Sequence, residues 1–305
     1  MDSDSSPAEP QSPEIPHITL DERGVAVRGV RLASAMNEVS RAMQARVPLI
    51  VLPAAAFSWR DYLPILEHFA HERRVFTLDW PGFGDSEKPT PTDFTYSAAS
   101  YAEMLAGWMD GLGIARAALL GNGVGATAAL LYAASHPQRT LGLALSGPLG
   151  FGAGGRFGRL AGRALGRPPL LRRLEPILTS LALGPNTPLT TEIALRRRQQ
   201  RMADDYPASV AAFAALWRSL EGCRDELTAR AREVSAPGIV LRGALDALVT
   251  EADAQRAADA LGEHGSVCVK LPDSGHLPFL QQPGPFLRAV AGVLNTAEAN
   301  AAAQM

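Results

Sequence analysis

Three glycines at alternate positions, Gly121, Gly123 and Gly125, join a short apolar run to a run of small helix-forming residues. This join constrains the fold more than any other stretch of the chain. The preceding residues, Ala115-Arg116-Ala117-Ala118-Leu119-Leu120, have the length and composition of a buried strand, and Ala126 to Ala134 reads as an apolar helix. A sharp strand-to-helix turn is therefore predicted, in the layout G-x-S-x-G that sets a serine hydroxyl at the end of a sheet. The residue at the serine position is Gly123. Such a position takes a positive φ, which costs a residue bearing a β-carbon roughly 1–3 kcal/mol and which glycine adopts freely.

The same glycines also suggest a dinucleotide site. The pattern G-x-G-x-x-G needs its last glycine where this chain has Ala126, and an acidic residue about twenty positions further on to bind the ribose. The next strand-like run, Leu143-Ala144-Leu145-Ser146-Gly147, supplies none, and no Asp or Glu occurs between Asp110 and Glu175. No nucleotide or other cofactor is expected.

With 305 residues, 47% hydrophobic content and a formal net charge of −2, the chain is sized for one α/β domain with an insertion. A near-neutral balance gives no case for nucleic-acid binding. Cys223 and Cys268 lie far apart without metal-ligand spacing, so neither a disulfide framework nor a metal is expected, and a cytoplasmic location fits. No apolar stretch approaches the roughly 18 residues that span a bilayer. Met1 to Pro16, acidic and rich in Ser and Pro, is unlike a signal peptide and reads as a disordered tail. Residues 296–305 read as an Ala-rich, flexible end.

Strand-like and helix-like segments alternate along the rest. Ile18-Thr19-Leu20 and Val25-Ala26-Val27, separated by Asp21-Glu22-Arg23-Gly24, read as a hairpin. Val47 to Leu52 and Arg74 to Asp79 read as strands on either side of a helix near Leu63 to His71. Alternation continues through Leu141 to Ser146, stops, and resumes at Gly238 to Gly243 and Val267 to Leu271. This is the signature of a mostly parallel sheet with helices on both faces, formed by residues 17–147 and 226–295. Residues 148–225, helical in pattern, read as an inserted cap.

Parallel strands deliver the loops at their carboxyl ends to one edge of the sheet. Gly123, Asp246 after one strand and His276 after another, in Asp273-Ser274-Gly275-His276-Leu277-Pro278, are thus expected to converge. The order of nucleophile position, acid and histidine is similar to that of α/β-hydrolases. From about His17 to Leu294 the chain resembles that family. Leu78-Asp79-Trp80-Pro81-Gly82-Phe83-Gly84-Asp85-Ser86 resembles the family's D-x-P-G-x-G-x-S turn, and Ala134-Ser135-His136-Pro137 comes after the expected helix. The resemblance implies an α/β-hydrolase fold with a helical cap, His276 and Asp246 as a catalytic pair, and Ala55 and Val124 N–H groups as an oxyanion hole. Many relatives have His-Gly where this chain has Pro53-Ala54, and Ala54 is expected to be strained if it adopts glycine-only backbone angles.

Other residues have plainer expectations. His17, His68, His71, His136 and His264 read as surface or turn residues, Asp79, Asp85 and Ser86 as turn formers, and the cysteines as packing residues. Within the cap, Arg156, Arg159, Arg163 and Arg167 would share one helical face, either solvated or meeting an anionic substrate or membrane surface, although the interspersed glycines disfavour helix. Two functions fit these residues. One is an atypical hydrolase, lyase or isomerase acting on a small apolar carbonyl or ester compound with a His-Asp pair and no serine. The other is a non-catalytic binding or scaffold protein of the same fold. A serine-to-glycine change in a working esterase is a third origin for Gly123.

Overall fold

A computed structural model describes residues 18–37, 41–152, 163–261 and 266–303. The expected N-terminal tail, His17, His264, Arg156 and Arg159 lie outside the described residues. Eight strands form one sheet: β1 Ile18–Val27, β2 Val30–Asn37, β3 Leu49–Leu52, β4 Val75–Leu78, β5 Ala117–Asn122, β6 Thr140–Ser146, β7 Gly238–Gly243 and β8 Cys268–Leu271. Their order is β1-β2-β4-β3-β5-β6-β7-β8. β1 with β2 and β2 with β4 are antiparallel, and every later pairing is parallel. The chain is thus an α/β-hydrolase fold, a mostly parallel sheet with helices.

Alternate strand residues feed two cores. Ile50, Leu52, Leu119, Leu143 and Val240 pack into one core, and Leu49, Val51, Leu120, Ala144 and Leu241 into the other. The helices in chain order are α1 Arg41–Gln44, α2 Leu63–Ala70, α3 Ala98–Gly111, α4 Val124–Ser135, α5 Pro168–Leu183, α6 Pro188–Gln200, α7 Tyr206–Ser219, α8 Arg224–Arg232, α9 Glu251–Ala260 and α10 Pro283–Ala303. Helix α4 meets the sheet closely because its buried side is alanine, as at Ala126, Ala128, Ala129 and Ala133. The outer glycines of the triplet permit that approach. A β-carbon on Gly121 would stand 2.5 Å from the Ala126 Cα, and one on Gly125 would stand 2.4 Å from the Leu52 carbonyl oxygen.

Two expectations at the termini are corrected. The hairpin turn is not at Asp21 to Gly24, which lies within β1 at a register irregularity, but at Arg28-Gly29. Both of these residues have positive φ, 51° and 81°, the geometry of a two-residue hairpin turn, and Arg28 is an uncommon choice for it. The Ala-rich end is also not loose: α10 runs to Ala303, with Ala297 buried and Glu298 paired to the buried Arg73 at 2.8 Å.

Asp79 does more than form a turn. Fully buried beyond β4, it accepts N–H bonds from Trp59 (2.8 Å) and Asp85 (2.9 Å). Burial pushes its carboxyl up to about 7 despite those bonds. A β-carbon on Gly84 would overlap that carboxylate, 2.0 Å from Oδ2. The turn is therefore fixed to the loop that leaves β3.

Candidate active site

At the carboxyl edge of the sheet β5 ends at Asn122, the chain turns through Gly123, and α4 begins at Val124. Gly123 has φ 58° and ψ −121°, a conformation that side-chain-bearing residues rarely adopt. Its N–H donates to the Ser146 carbonyl (2.9 Å), which locks the turn to β6.

His276 arrives from the loop after β8, and its Nδ1 lies 2.8 Å from Oδ2 of Asp246 in the loop after β7. Both side chains are buried, 2% and 1% exposed. The second carboxylate oxygen of Asp246 accepts the N–H groups of Leu248 (2.8 Å) and Val249 (3.1 Å). An ionised Asp246 assigns the imidazole proton to Nδ1 and leaves the Nε2 lone pair free. Nε2 lies directly over the turn, since a β-carbon on Gly123 would stand 2.9 Å from it. On the other side of the ring, a β-carbon on Gly147 would stand 2.9 Å from Cε1 and Nδ1. The imidazole thus lies between two glycines that have no side chain to displace it.

Burial alone would raise the Asp246 carboxyl, but the neighbouring His276 and the Leu248 and Val249 N–H groups outweigh it and hold the group below its ordinary value. A lowered native pKa contributes stability above the unfolded value, near 4, that is lost as pH falls through the native value. Asp246→Asn is expected to unfold roughly 1–3 kcal/mol more easily at pH 7. Urea unfolding at a series of pH values should show that gap narrowing below about pH 4. A gap independent of pH would show that the carboxylate charge is not its source.

Two positioning residues escape a reading by sequence motif. Buried Asn122, just before Gly123, donates from Nδ2 to the carbonyls of Ser146 (3.0 Å) and His276 (3.0 Å). Its Oδ1 accepts the Tyr62 hydroxyl (2.7 Å), which in turn accepts the Ala54 N–H (2.9 Å). One amide therefore ties the turn, the histidine loop and the loop after β3 together. Arg242, also buried, donates to the carbonyls of Val249 (2.7 Å) and Asp246 (3.1 Å) and shapes the acid's loop. The available signal was a polar or charged residue inside an otherwise apolar strand.

The expected backbone strain at Ala54 is absent, because the positive φ falls two residues later, at Ala56 (69°). Tyr62 occupies the Ala54 N–H, whereas the N–H groups of Ala55 and Val124 meet no acceptor among the described residues. Val124 is also the first residue of α4, where the helix dipole favours negative charge.

The segment between β6 and β7 contributes directly to this edge. The His276 N–H donates to the Ala182 carbonyl (2.9 Å) in α5, and Gln281 bonds the Leu183 carbonyl (2.7 Å). His276 opens on a cleft whose walls include Ala55, Phe57, Leu178, Phe213, Trp217 and Leu248. A second cleft shares Ala56 and Phe213 with it and is charged, with Lys88 paired to Asp205 at 2.9 Å and buried Glu175 bound by Arg197 and Arg201. The basic face expected across Arg163 and Arg167 is not one helical face. Arg167 is extended (φ −103°, ψ 111°) and stands just before α5, and Arg163 pairs with Glu221 at 3.2 Å.

A family model described as alpha/beta hydrolase fold matches residues 47–283. The chain is 35% identical over 143 residues to 2-hydroxymuconate semialdehyde hydrolase of Pseudomonas putida, a match spanning 46% of this chain and 48% of that protein. It is 29% identical over 230 residues to 2-hydroxy-6-oxononadienedioate/2-hydroxy-6-oxononatrienedioate hydrolase of Burkholderia vietnamiensis, spanning 72% and 77%. Among solved structures, the enol-lactonase from Burkholderia xenovorans LB400 superposes with a TM-score of 0.73 at 20% identity, covering 89% of this chain and 99% of that one.

Proposed function

The chain belongs to the alpha/beta hydrolase fold family, and from that premise we propose that it hydrolyses a small, largely apolar carbonyl or ester compound without an acyl-enzyme intermediate. The observation that carries this reading is the free Nε2 of His276, held by Asp246 and facing a glycine where a serine hydroxyl would otherwise stand. Loss of the serine from a triad can cost about 10⁶ in kcat, so a covalent route through position 123 is closed. A water in the cleft would attack the substrate carbonyl carbon while passing its proton to Nε2. The resulting oxyanion would meet the Ala55 and Val124 N–H groups, and collapse would expel the leaving group, which recovers the proton from Nε2. Water is consumed, and the products are an acid and an alcohol or enol. The mostly apolar wall of the cleft beside His276 supports an apolar substrate, with residues 148–225 acting as its cap.

The test is turnover of a panel of short esters, enol-lactones and 2-hydroxy-6-oxo-dienoates. Hydrolysis is expected to release both products together from the first turnover and to be insensitive to fluorophosphonates. A burst of one product, with a covalent adduct on the protein, would overturn the mechanism. One observation favours the non-catalytic alternative, a binding protein of the same fold: the ring stands so near the turn that a β-carbon on Gly123 would meet Nε2 at 2.9 Å. Ligand retention with no turnover of any panel member would select that reading.

A further inference from the structure

Seven large apolar side chains stand exposed among the described residues, and five of them, Ile177, Leu181, Leu189, Leu195 and Met202, lie on α5, α6 and the turn after α6. Ile177 is 56% exposed, Leu195 57% and Met202 84%. The same stretch, residues 168–203, carries six arginines and two glutamates in a chain whose formal net charge is −2. On α5, Arg173, Ile177 and Leu181 recur at helical spacing opposite the buried Leu171, Glu175 and Ala182. On α6, Leu195 and Arg198 lie away from the buried Ile193 and Arg197. Both glutamates are already engaged, Glu175 by Arg197 and Arg201 and Glu192 by Arg196. Arg172, Arg173 and Arg198 form no ion pair with a described residue.

We propose that the outer face of α5 and α6 docks on an anionic membrane surface. Exposed aliphatic side chains among unpaired arginines match an interfacial helix, whose apolar residues enter the headgroup boundary while its cations meet anionic lipid. A second copy of the chain is a poorer occupant, because a two-fold interface would set this basic face against itself. No helix among the described residues is long and apolar enough to cross a membrane, so the contact is peripheral. The inner side of α5 supplies Leu178, Thr179 and Ala182 to the cleft beside His276. Docking would therefore bring the cleft close to apolar compounds dissolved in the bilayer; that consequence rests on the proposed function, whereas docking itself does not.

The experiment is co-sedimentation of the full chain with phosphatidylcholine vesicles, with and without phosphatidylglycerol, at low and high salt. The wild-type protein is expected to bind only the vesicles that contain phosphatidylglycerol. Arg173→Gln with Arg198→Gln should weaken that binding by about fivefold per arginine, and Ile177→Ser with Leu195→Ser should weaken it at both salt concentrations. All four substitutions are on exposed positions, and matching urea midpoints would confirm folding. His276→Ala should bind as the wild type does, so failure of the catalytic reading leaves the docking result intact. Absence of binding, or binding unchanged in both double variants, would overturn the proposal. So would a concentration-dependent dimer that the Ile177→Ser, Leu195→Ser pair dissolves, which would assign the face to a second copy.

Discussion

His276→Ala is expected to lower kcat for whichever ester, enol-lactone or dienoate of the panel is turned over by about 10²–10⁴-fold, the range over which a positioned general base contributes. The loss should fall on kcat more than on KM, because the walls of the cleft are supplied by Phe57, Leu178, Phe213 and Trp217, which the substitution leaves in place. Asp246→Asn should produce a smaller loss, since an amide can still support the ring but can present the wrong tautomer at Nδ1. Added imidazole separates the base role from a structural one, because a proton acceptor supplied from solution should restore part of the activity of His276→Ala only if the missing ring served as the base. Activity within twofold of wild type in His276→Ala would remove the histidine from the mechanism.

Much of this arrangement is legible in the order of the residues alone, for a specific reason. In a parallel sheet the residues just after a strand are delivered to a known edge, so Gly123 after β5, Asp246 after β7 and His276 after β8 could be brought together from order alone. The alternate glycines are legible as a turn, but only packing distinguishes their roles. Gly123 carries the positive φ, while Gly121 and Gly125 allow α4 to approach β3 and β5. The features that escape depend on contacts between residues distant in sequence. Asn122 and Arg242 read as interruptions of apolar strands, and only the fold shows the first joining Tyr62 and His276 and the second gripping the loop of Asp246. The N-terminal hairpin is misplaced by sequence because Asp21 to Gly24 has better turn chemistry than Arg28-Gly29, yet β1 continues through it. Likewise, helical periodicity extends on paper through Arg167, where the backbone is extended and a new helix begins at Pro168.

Gly123→Ser is expected to have the second large effect, and it acts on the feature around which the site is built. A serine must hold φ near +58°, at a cost of roughly 1–3 kcal/mol. Its β-carbon would also stand 2.9 Å from Nε2 and 3.1 Å from the Ala54 Cβ, so the imidazole has to give way by a few tenths of an ångström while keeping its bond to Asp246. Urea unfolding should therefore show a less stable protein. In return, Oγ would lie at the end of β5 within reach of Nε2, with the Val124 N–H beside it.

The most direct measurement of the central claim, that the hydrolase apparatus surrounds a missing nucleophile, is the intact mass of folded Gly123→Ser protein after exposure to a fluorophosphonate. One adduct per chain is expected, placed on residue 123, absent from wild type and absent from the double variant Gly123→Ser, His276→Ala. A folded Gly123→Ser protein that stays unlabelled would contradict the claim, because His276 and the N–H groups of Ala55 and Val124 would then be unable to activate a hydroxyl at this turn.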